Sequence, residues 1–308
     1  MEKTLVIGAS GFIGQAIQSQ IQTSAKSDQF VFSYRSHPER IQPDLQKVRL
    51  NLLEPSHAEN DLGVVADFSS AICVLGNNNH GAAWENPLQD LALNTESLLR
   101  FIQLFRGKLV LLSSQAVYFG LSGEIGEQID HCPTIPYAIS KKAAESYAQF
   151  YYEDARLDSL WIYRLMYAFG PGERASRLVS ACRRASLSGE KVNIAGGGCS
   201  FLNPLPSSFV SQVLVRSSEE LSKQSRFSET VNINHESRLS VLDVVRFLNE
   251  IEGFDYTVSQ GGEKQPVAFW GNTERLQGYM KKWQLEFPDV WSSLRHHYLT
   301  ASTGGPAS

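Results

Sequence analysis

The sequence predicts a doubly wound α/β fold with a smaller C-terminal lobe, on the basis of three observations. Short apolar runs rich in Val, Ile and Leu recur along the 308-residue chain, and stretches with helical spacing separate them. A glycine-rich turn stands where the first apolar run gives way to the first helix. Alternation of this kind is typical of a parallel sheet that carries helices on both faces.

The apolar runs have the length of strands and few polar positions, which is typical of strands covered on both faces. They occupy residues 4–7, 30–34, 48–50, 71–75, 109–112, 160–165 and 231–233. Helical spacing appears at residues 11–21, 88–105 and 137–151. After residue 171 the alternation weakens, and a helix-like stretch at 175–188 is followed by a glycine-rich turn at 196–198. The weaker pattern predicts a separate, smaller lobe.

Composition narrows the class of protein. The chain is 42% hydrophobic and has a formal net charge of -4, with Lys and Arg spread along it, so a small-molecule partner is expected and no nucleic acid. The start, MEKTLVIGAS, has no apolar leader and no run of about 18 apolar residues follows, which favours a cytoplasmic protein that does not enter a membrane. The four cysteines are far apart without metal-ligand spacing, so we expect reduced thiols and no metal site: Cys73, Cys132, Cys182 and Cys199.

The glycine turn GASGFIG follows the first predicted strand and opens the first predicted helix. Backbone N–H groups at such a helix start bind a pyrophosphate, and glycines let the backbone come close to it. Contacts to a dinucleotide are therefore expected from Gly8, Ser10, Gly11, Phe12, Ile13 and Gly14. Residues 1–171 are expected to form a Rossmann dinucleotide-binding domain to which a segment near 230–236 returns, residues 172–300 a mainly substrate-binding lobe, and residues 301–308 a flexible tail.

The end of the second predicted strand bears on the choice between NADP and NAD. An NAD site usually offers Asp or Glu to the ribose there, whereas this chain has Arg35 and Ser36, with Arg40 nearby. A guanidinium binds a 2′-phosphate through charge-assisted hydrogen bonds, so NADP is the expected cofactor and NAD the alternative. Further cofactor contacts are expected at Asn51 and Leu52 after the third strand, at Leu75 and Gly76 after the fourth, and at Asn94.

A serine, a tyrosine and a lysine follow in an order that suggests proton-transfer chemistry. Ser114 ends a predicted strand, and Tyr137 and Lys141 lie one turn apart on one face of a predicted helix. A phenol titrates near pH 10, and a neighbouring ammonium lowers that value by stabilising the phenolate. Tyr137 is therefore the expected acid/base, Lys141 its electrostatic partner and a ligand of the nicotinamide ribose, and Ser114 the donor to the substrate oxygen.

These residues give the chain its resemblance to a known family. GASGFIG, LALNTESLL, SSQAVY, PYAISKKAAE, YRLMYAFGPG and NTERL resemble segments of the extended short-chain dehydrogenases/reductases, the group that contains nucleotide-sugar epimerases, dehydratases and ketoreductases. The resemblance covers most of the chain. It implies the same roles for Ser114, Tyr137 and Lys141. Ser113 is the alternative to Ser114 as a substrate contact, and Asn94 could pack against the active-site helix.

The chain also departs from that family. Tyr167 stands where the family usually has an asparagine, and it either reshapes the substrate pocket or is a core aromatic. Phe201, Ser207 and Ser208 replace the usual nucleotide anchors, and Gln115 with Ala116 replaces the acidic pair of the dehydratases, which disfavours elimination of water. Substrate contacts are expected from Ser113, Gln115, Asn78, Tyr167 and Arg174. At most one or two of five arginines are expected to bind a diphosphate: Arg164, Arg174, Arg177, Arg183 and Arg184.

The sequence leaves several functions open. The first expectation is an NADP-dependent 4-ketoreductase or an epimerase of a nucleotide-sugar in carbohydrate biosynthesis. An epimerase that retains NAD, a reductase of a non-sugar carbonyl, and a cofactor-binding regulatory protein without turnover are the alternatives. A homodimer is expected, because helices of this fold group often pair across a two-fold axis. His80, in the NNNHG segment, is expected to be an ordinary loop histidine.

Overall fold

The computed structural model describes residues 3–54, 64–77, 79–262 and 266–300. The chain forms two compact units, each made of three segments. The first unit comprises Met1–Tyr118, Asp130–Leu165 and Ser211–Val231, and the second Phe119–Ile129, Met166–Val210 and Asn232–Ser308. The sequence expectation places a boundary at residue 171 and returns a segment near 230–236 to the first domain; in the structure residues 119–129 group with the second unit and residues 211–231 with the first. The expected tail at 301–308 lies outside the described residues.

The strands of the described chain, in order, are β1 Thr4–Ile7, β2 Phe30–Tyr34, β3 Lys47–Arg49, β4 Ser70–Cys73, β5 Lys108–Ser114, β6 Gly123–Ile125, β7 Ser159–Leu165, β8 Tyr167–Phe169, β9 Val192–Ile194, β10 Pro204–Pro206, β11 Phe227–Ile233, β12 Tyr256–Val258 and β13 Phe269–Gly271. The α-helices are α1 Phe12–Gln22, α2 His80–Glu85, α3 Pro87–Leu91, α4 Ser97–Leu104, α5 Pro136–Glu153, α6 Leu178–Ser188, α7 Ser207–Leu221, α8 Val241–Ile251, α9 Glu274–Trp283 and α10 Val290–Thr300.

The main sheet has seven strands in the order β11-β7-β5-β4-β1-β2-β3, which is the doubly wound arrangement that the sequence predicts. The pairs β1 with β2 and β4, β2 with β3, β4 with β5, and β5 with β7 are parallel. Ile7 pairs with Cys73, and Cys73 with Leu111. The loops that leave β1, β4 and β5 therefore emerge at one edge of the sheet, where open α/β sheets bind their ligands.

The core of the first unit explains why the central strands read as apolar runs. Leu5, Ala71 and Leu109 lie at paired positions of β1, β4 and β5, and each is fully buried. Helix α5 packs against this core through small residues, Ala144 and Ala148, which are 3% and 0% exposed. Burial of both sheet faces supplies the main driving force for this unit.

The segment before the fifth strand contains a turn of π-helix. Its spacing predicts one helix over 88–105, but α3 and α4 are separated by a π-helical turn, Ala92–Glu96. The turn aims Asn94 and Thr95 into the interior, where Thr95 Oγ1 donates to the backbone oxygen of Ser140 on α5 at 2.7 Å. Turns of this kind are rare and often lie at functional sites.

The second unit has its own core and three parallel two-stranded ladders. The ladders pair β8 with β10, β9 with β12, and β6 with β13. Phe169 from β8 and Leu248 from α8 are fully buried in its core with Leu294 from α10. Among the residues that the structure describes, no helix combines the length and the apolar composition that crossing a bilayer requires.

Candidate active site

The glycine turn after β1 comes very close to the end of β4. Gly8 has φ +82°, a left-handed conformation, and a Cβ built there would lie 2.8 Å from the backbone nitrogen of Leu75. A side chain would therefore force the turn and β4 apart. Gly11 caps α1, whose first N–H groups have no partner within the helix. The turn thus brings unpaired backbone donors to the carboxyl edge of the sheet.

A cleft of about 380 Å³ opens at this turn. Eight of the expected cofactor contacts line it: Gly8, Ser10, Gly11, Arg35, Ser36, Leu52, Leu75 and Gly76. Its other lining residues include Tyr34, His37, Arg40, Leu50, Leu53, Val74 and Leu93. Phe12, Ile13 and Gly14 form the first turn of α1 and do not line the cleft with their side chains.

One end of the cleft is basic. Arg35 and His37 are exposed there, and no acidic side chain is among the described residues that line the cleft. Gln18 of α1 fixes the loop that carries Arg40, because its amide nitrogen donates to the backbone oxygen of Arg40 at 3.1 Å and its amide oxygen accepts from Gln42 N at 2.8 Å. The carboxylate nearest in sequence, on Glu39, accepts a hydrogen bond from His37.

Two expected cofactor contacts lie behind the cleft wall. Asn51 is buried and its amide oxygen accepts from Leu53 N at 3.3 Å, so the side chain holds its own loop instead of lining the cleft. Asn94 is 3% exposed and donates from Nδ2 to Asp90 and to Ser140. Its Oδ1 is buried without a hydrogen-bond partner in the described structure. It points to Gly76, because a Cβ there would lie 2.5 Å from it.

The structure separates the roles of the two serines at the end of β5. Ser113 Oγ donates to Glu145 Oε1 at 2.6 Å, and Glu145 forms a buried ion pair with Arg164, with Oε2 and Nη2 2.7 Å apart. Ser114 points to the opposite face of the strand, as alternation requires, and accepts from Ala116 N at 3.1 Å. The hydroxyl of Ser113 is therefore engaged in the core, which leaves Ser114 as the better candidate for a substrate contact.

Tyr137 and Lys141 lie one turn apart on α5 and are 6% and 7% exposed. The Lys141 ammonium reaches the cleft wall, 3.4 Å from the backbone oxygen of Leu75, and a Cβ on Gly76 would lie 2.6 Å from Nζ. Burial lowers the pKa of Lys141, and the negative charges of neighbouring groups oppose that effect. The structure thus places the buried Lys141 side chain at the cleft wall, one helical turn after Tyr137.

His80 was expected to be an ordinary loop histidine, but it stacks on the Tyr137 ring. The two ring centroids are 4.5 Å apart with an angle of 29° between the planes. His80 begins α2 and is exposed, so its imidazole covers a ring that is otherwise buried. Only the position of the NNNHG segment after β4 could have suggested this contact, because nothing in the residue types predicts it.

The expected substrate contacts are spread over both units. Gln115 is buried directly after Ser114, and Asn78 lies outside the described residues. Tyr167 and Arg174 belong to the second unit. The Tyr167 ring carries the Arg177 guanidinium 4.0 Å from its centroid, and burial of the phenol raises the pKa of Tyr167 to about 12. Within its own unit Tyr167 is partly buried and packs against the core, and its part in a substrate pocket stays a prediction.

Most of the arginines that were considered for a diphosphate have protein partners. Arg164 pairs with Glu145, Arg183 with Glu252 and Arg184 with Glu190. Arg177 donates to the backbone oxygen of Ala168 at 2.8 Å. Each of these guanidinium groups is bound by an acceptor within the protein. The spacing of the arginines along the sequence does not reveal these partners.

Comparisons with known proteins agree with this architecture. Residues 4–200 match the NAD dependent epimerase/dehydratase family. A Bacillus subtilis (strain 168) protein, described as an uncharacterized UDP-glucose epimerase, is 26% identical over 293 residues, which cover 89% of this chain and 90% of that protein.

Two solved structures share the fold. MoeE5, in complex with UDP-glucose and NAD, superposes with a TM-score of 0.81 at 22% identity, over 96% of this chain and 97% of that one. A UDP-glucuronic acid 4-epimerase from Bacillus cereus, in complex with UDP-glucuronic acid and NAD, gives 0.82 at 18% identity, over 96% and 98%. The family match spans well over half of the chain and includes the glycine turn, the Tyr-Lys helix and six of the seven strands of the main sheet. The chain therefore belongs to the NAD dependent epimerase/dehydratase family, a group of enzymes within the extended short-chain dehydrogenases/reductases.

Proposed function

We propose that the chain is an NADP-dependent oxidoreductase of a nucleotide-activated sugar, acting as a 4-ketoreductase or 4-epimerase. One observation carries the proposal: the Lys141 side chain reaches Leu75 and Gly76, two residues of the cleft wall, and Tyr137 precedes Lys141 by one turn on the same helix. The substrate class is supported by the relatives, whose descriptions name UDP-glucose and UDP-glucuronic acid.

The cleft fits a dinucleotide. Gly8 and Gly11 line the cleft at the start of α1, and Lys141 Nζ and the partnerless Asn94 Oδ1 both lie close to Gly76 in its wall. Gly8 and Gly11 would hold the pyrophosphate, and Lys141 the nicotinamide ribose. When bound, the nicotinamide supplies or accepts the hydride.

The protein's own residues would handle the proton. The Tyr137 phenol donates to the substrate oxygen during reduction and, as phenolate, accepts from the hydroxyl during oxidation. Lys141 stabilises the phenolate, because an ammonium next to a phenol favours its charged form. Ser114 donates a hydrogen bond to the same substrate oxygen and so orients it toward Tyr137. Gln115 and Ala116 offer no acid/base pair, so elimination of water is not part of the proposal.

The preference for NADP rests on the basic end of the cleft. Arg35, His37 and Arg40 line it, and the acidic residue that would accept from the ribose hydroxyls of NAD is missing from its described walls. A guanidinium binds phosphate oxygens in a bidentate manner. A released NADPH would suit net reduction, whereas an epimerase keeps its cofactor bound and regenerates it in each turnover.

The test is an assay of the purified protein with NADPH or NADH and a UDP-4-keto-sugar, alongside UDP-glucose and UDP-galactose without added cofactor. We expect NADPH oxidation, or interconversion of the two sugars, to be lost in Tyr137→Phe. The matched control is Tyr147→Phe, because Tyr147 is on the same helix but exposed. A Tyr137→Phe variant that turns over at the wild-type rate would contradict the proposed mechanism.

A second candidate, a reductase of a non-sugar carbonyl, is favoured by one observation in the second unit. Phe201 packs edge-on against Trp270 with centroids 5.0 Å apart, at a position where the family tends to have an arginine. An aromatic pair cannot supply the charge that a guanidinium offers to a phosphate. A thermal-shift panel of nucleoside diphosphates separates the candidates, since only a nucleotide-sugar enzyme is stabilised by UDP or a related nucleotide.

We also propose that the protein is a cytoplasmic homodimer. Helix α5 exposes three large apolar side chains, Ile139, Tyr147 and Phe150, at 50%, 44% and 53%. Leu88 of α3 is 79% exposed. Exposed apolar residues concentrated on neighbouring helices are typical of a protein interface. Light scattering coupled to size exclusion should give twice the chain mass, and Phe150→Glu should shift it toward one chain mass; a wild-type protein of single-chain mass would contradict the proposal.

A further inference from the structure

Asp90 of α3 is a buried carboxylate held by neutral groups. It is 2% exposed, and its Oδ1 accepts from Asn77 Nδ2 and Asn94 Nδ2, each at 2.8 Å. Its Oδ2 accepts from Ser140 Oγ at 2.6 Å. All three donors are uncharged, so hydrogen bonds solvate the carboxylate but leave its negative charge unbalanced.

Asp90 is one of three groups whose negative charge acts on Lys141. Burial lowers the pKa of Lys141, and the groups that oppose this effect are Cys73 of β4, Asp90 of α3 and Glu145 of α5. Burial raises the pKa of Cys73, so that thiol is neutral near pH 7. Glu145 is in a bidentate ion pair with Arg164, which offsets its charge. Asp90 is thus the unbalanced carboxylate among these groups.

Asn94 connects Asp90 to Lys141. Its Nδ2 donates to the Asp90 carboxylate, and its Oδ1 and the Lys141 Nζ both lie within 2.6 Å of the point where a Cβ on Gly76 would stand. An amide that donates to an anion carries more negative charge on its oxygen, which strengthens its attraction for a cation. Ser140 adds a second link, because it accepts from Asn94 Nδ2, contacts Asp90, and precedes Lys141 in the chain.

We propose that Asp90 is a positioning residue, whose buried charge acts through the Asn94 amide to keep the Lys141 side chain an ammonium beside Tyr137. The inference rests on the proposed function, since it assigns Asp90 a part in preparing the Tyr137 and Lys141 pair. It goes beyond the serine, tyrosine and lysine set, because Asp90 lies on another helix and touches no expected ligand.

Asp90→Asn separates charge from shape. An asparagine keeps the oxygen that accepts from Asn77 and Asn94, and its Nδ2 can donate to Ser140 Oγ, whose own proton then goes to the Tyr137 backbone oxygen 2.9 Å away. Every contact therefore has a counterpart in the variant, while the negative charge is gone. Glu85→Gln is the matched control, because Glu85 is an exposed carboxylate of α2 and its replacement changes the net charge equally.

The measurement is a pH titration of the whole protein labelled with ¹³C at lysine Cε, in which Lys141→Met identifies the Lys141 resonance. We expect Asp90→Asn to lower the pKa of Lys141 by about one unit, and Glu85→Gln to leave it unchanged. A Lys141 titration that is the same in Asp90→Asn and wild type, with an unchanged melting temperature, would overturn the proposal. No substrate is present, so the result does not depend on whether the proposed reaction occurs.

Two further readouts complete the test. If Asp90→Asn does not fold, the wild-type protein provides the test, because protonation of Asp90 at low pH should shift the Lys141 resonance. A Lys141 resonance that does not change when Asp90 is protonated would refute the inference. With an active enzyme, the alkaline limb of kcat in Asp90→Asn should move to lower pH by about the same one unit while KM changes little. A loss of kcat by the same factor at every pH would indicate that Asp90 serves only in packing, and this outcome would also refute the inference.

Discussion

Removal of the Glu145 carboxylate should destabilise the first unit more than the loss of an exposed ion pair would. Glu145 and Arg164 have side chains that are 4% and 6% exposed, and the guanidinium donates to both carboxylate oxygens, with distances of 2.7 to 3.2 Å. Burial disfavours the Arg164 charge, but Glu145 more than compensates, so the pKa of Arg164 lies above its usual value. A guanidinium keeps its proton in proteins, so Arg164 stays charged when Glu145 is replaced.

Glu145→Gln leaves this buried guanidinium without a carboxylate to balance its charge, although Tyr118 still accepts a hydrogen bond from it at 2.9 Å. Removing one partner of a buried pair costs about 3–5 kcal/mol, because the other charge loses its compensation. For a chain of this size 1 kcal/mol lowers the melting temperature by about 2 °C, so we expect a drop of about 6–10 °C. Thermal and urea unfolding followed by circular dichroism measure both quantities.

A double variant provides the control. Glu145→Gln combined with Arg164→Met removes the uncompensated charge, so the double variant should be more stable than Glu145→Gln alone. A loss below about 1 kcal/mol in the single variant, which is the range of exposed pairs, would refute the reasoning. The reasoning would also be refuted if Arg164→Met destabilised the Glu145→Gln variant as much as it destabilises the wild-type protein.

Four further predictions concern the cleft and the second unit. Gly8→Ala should abolish NADPH binding in calorimetry while the chain still folds, since the added Cβ meets the end of β4 at 2.8 Å. Arg35→Ala should weaken NADPH binding about 10-fold, as a lost charge-assisted hydrogen bond implies, and leave NADH binding nearly unchanged. His80→Ala should lower kcat several-fold with little change in KM, and His80→Phe should restore much of it by stacking on Tyr137. The raised pKa of Tyr167, about 12 through burial, contributes stability that is complete below pH 10 and is lost as the pH rises toward 12; Tyr167→Phe should flatten that part of the unfolding profile.

The sequence predicts the central sheet well, because burial on both faces produces apolar runs that are easy to recognise. β1 and β2 begin and end at the expected residues, and β5 differs from its expected range only at its ends. The short strands of the second unit were not predicted. β9 and β12 have three residues each and are partly exposed, so they carry no clear apolar pattern.

Site residues could be predicted where a backbone requirement dictates the residue type. Gly8 is needed for its left-handed φ and for the close approach of β4, and this need appears in the sequence as a glycine at a fixed place after a strand. Asn51 was expected in the cleft for its polarity, yet its amide is used by its own loop. A polar side chain near a strand end does not reveal which of its neighbours will take its hydrogen bonds, because that depends on the folded loop.

The hydrogen-bond partners of Asp90 could not be predicted from the sequence either, because they come from other segments of the folded chain. In a helical stretch an aspartate is ordinarily a solvated surface residue. Here Asp90 and Asn94, four residues apart, lie on one helical face toward α5 and both contact Ser140, and the π-helical turn begins between them. The folded structure thus buries a carboxylate that a helical stretch would ordinarily leave in solvent. Deleting Ala92 to restore regular α-helical spacing should separate Asp90 from Ser140, and a Lys141 titration that survived this deletion would show that the charge acts without the network.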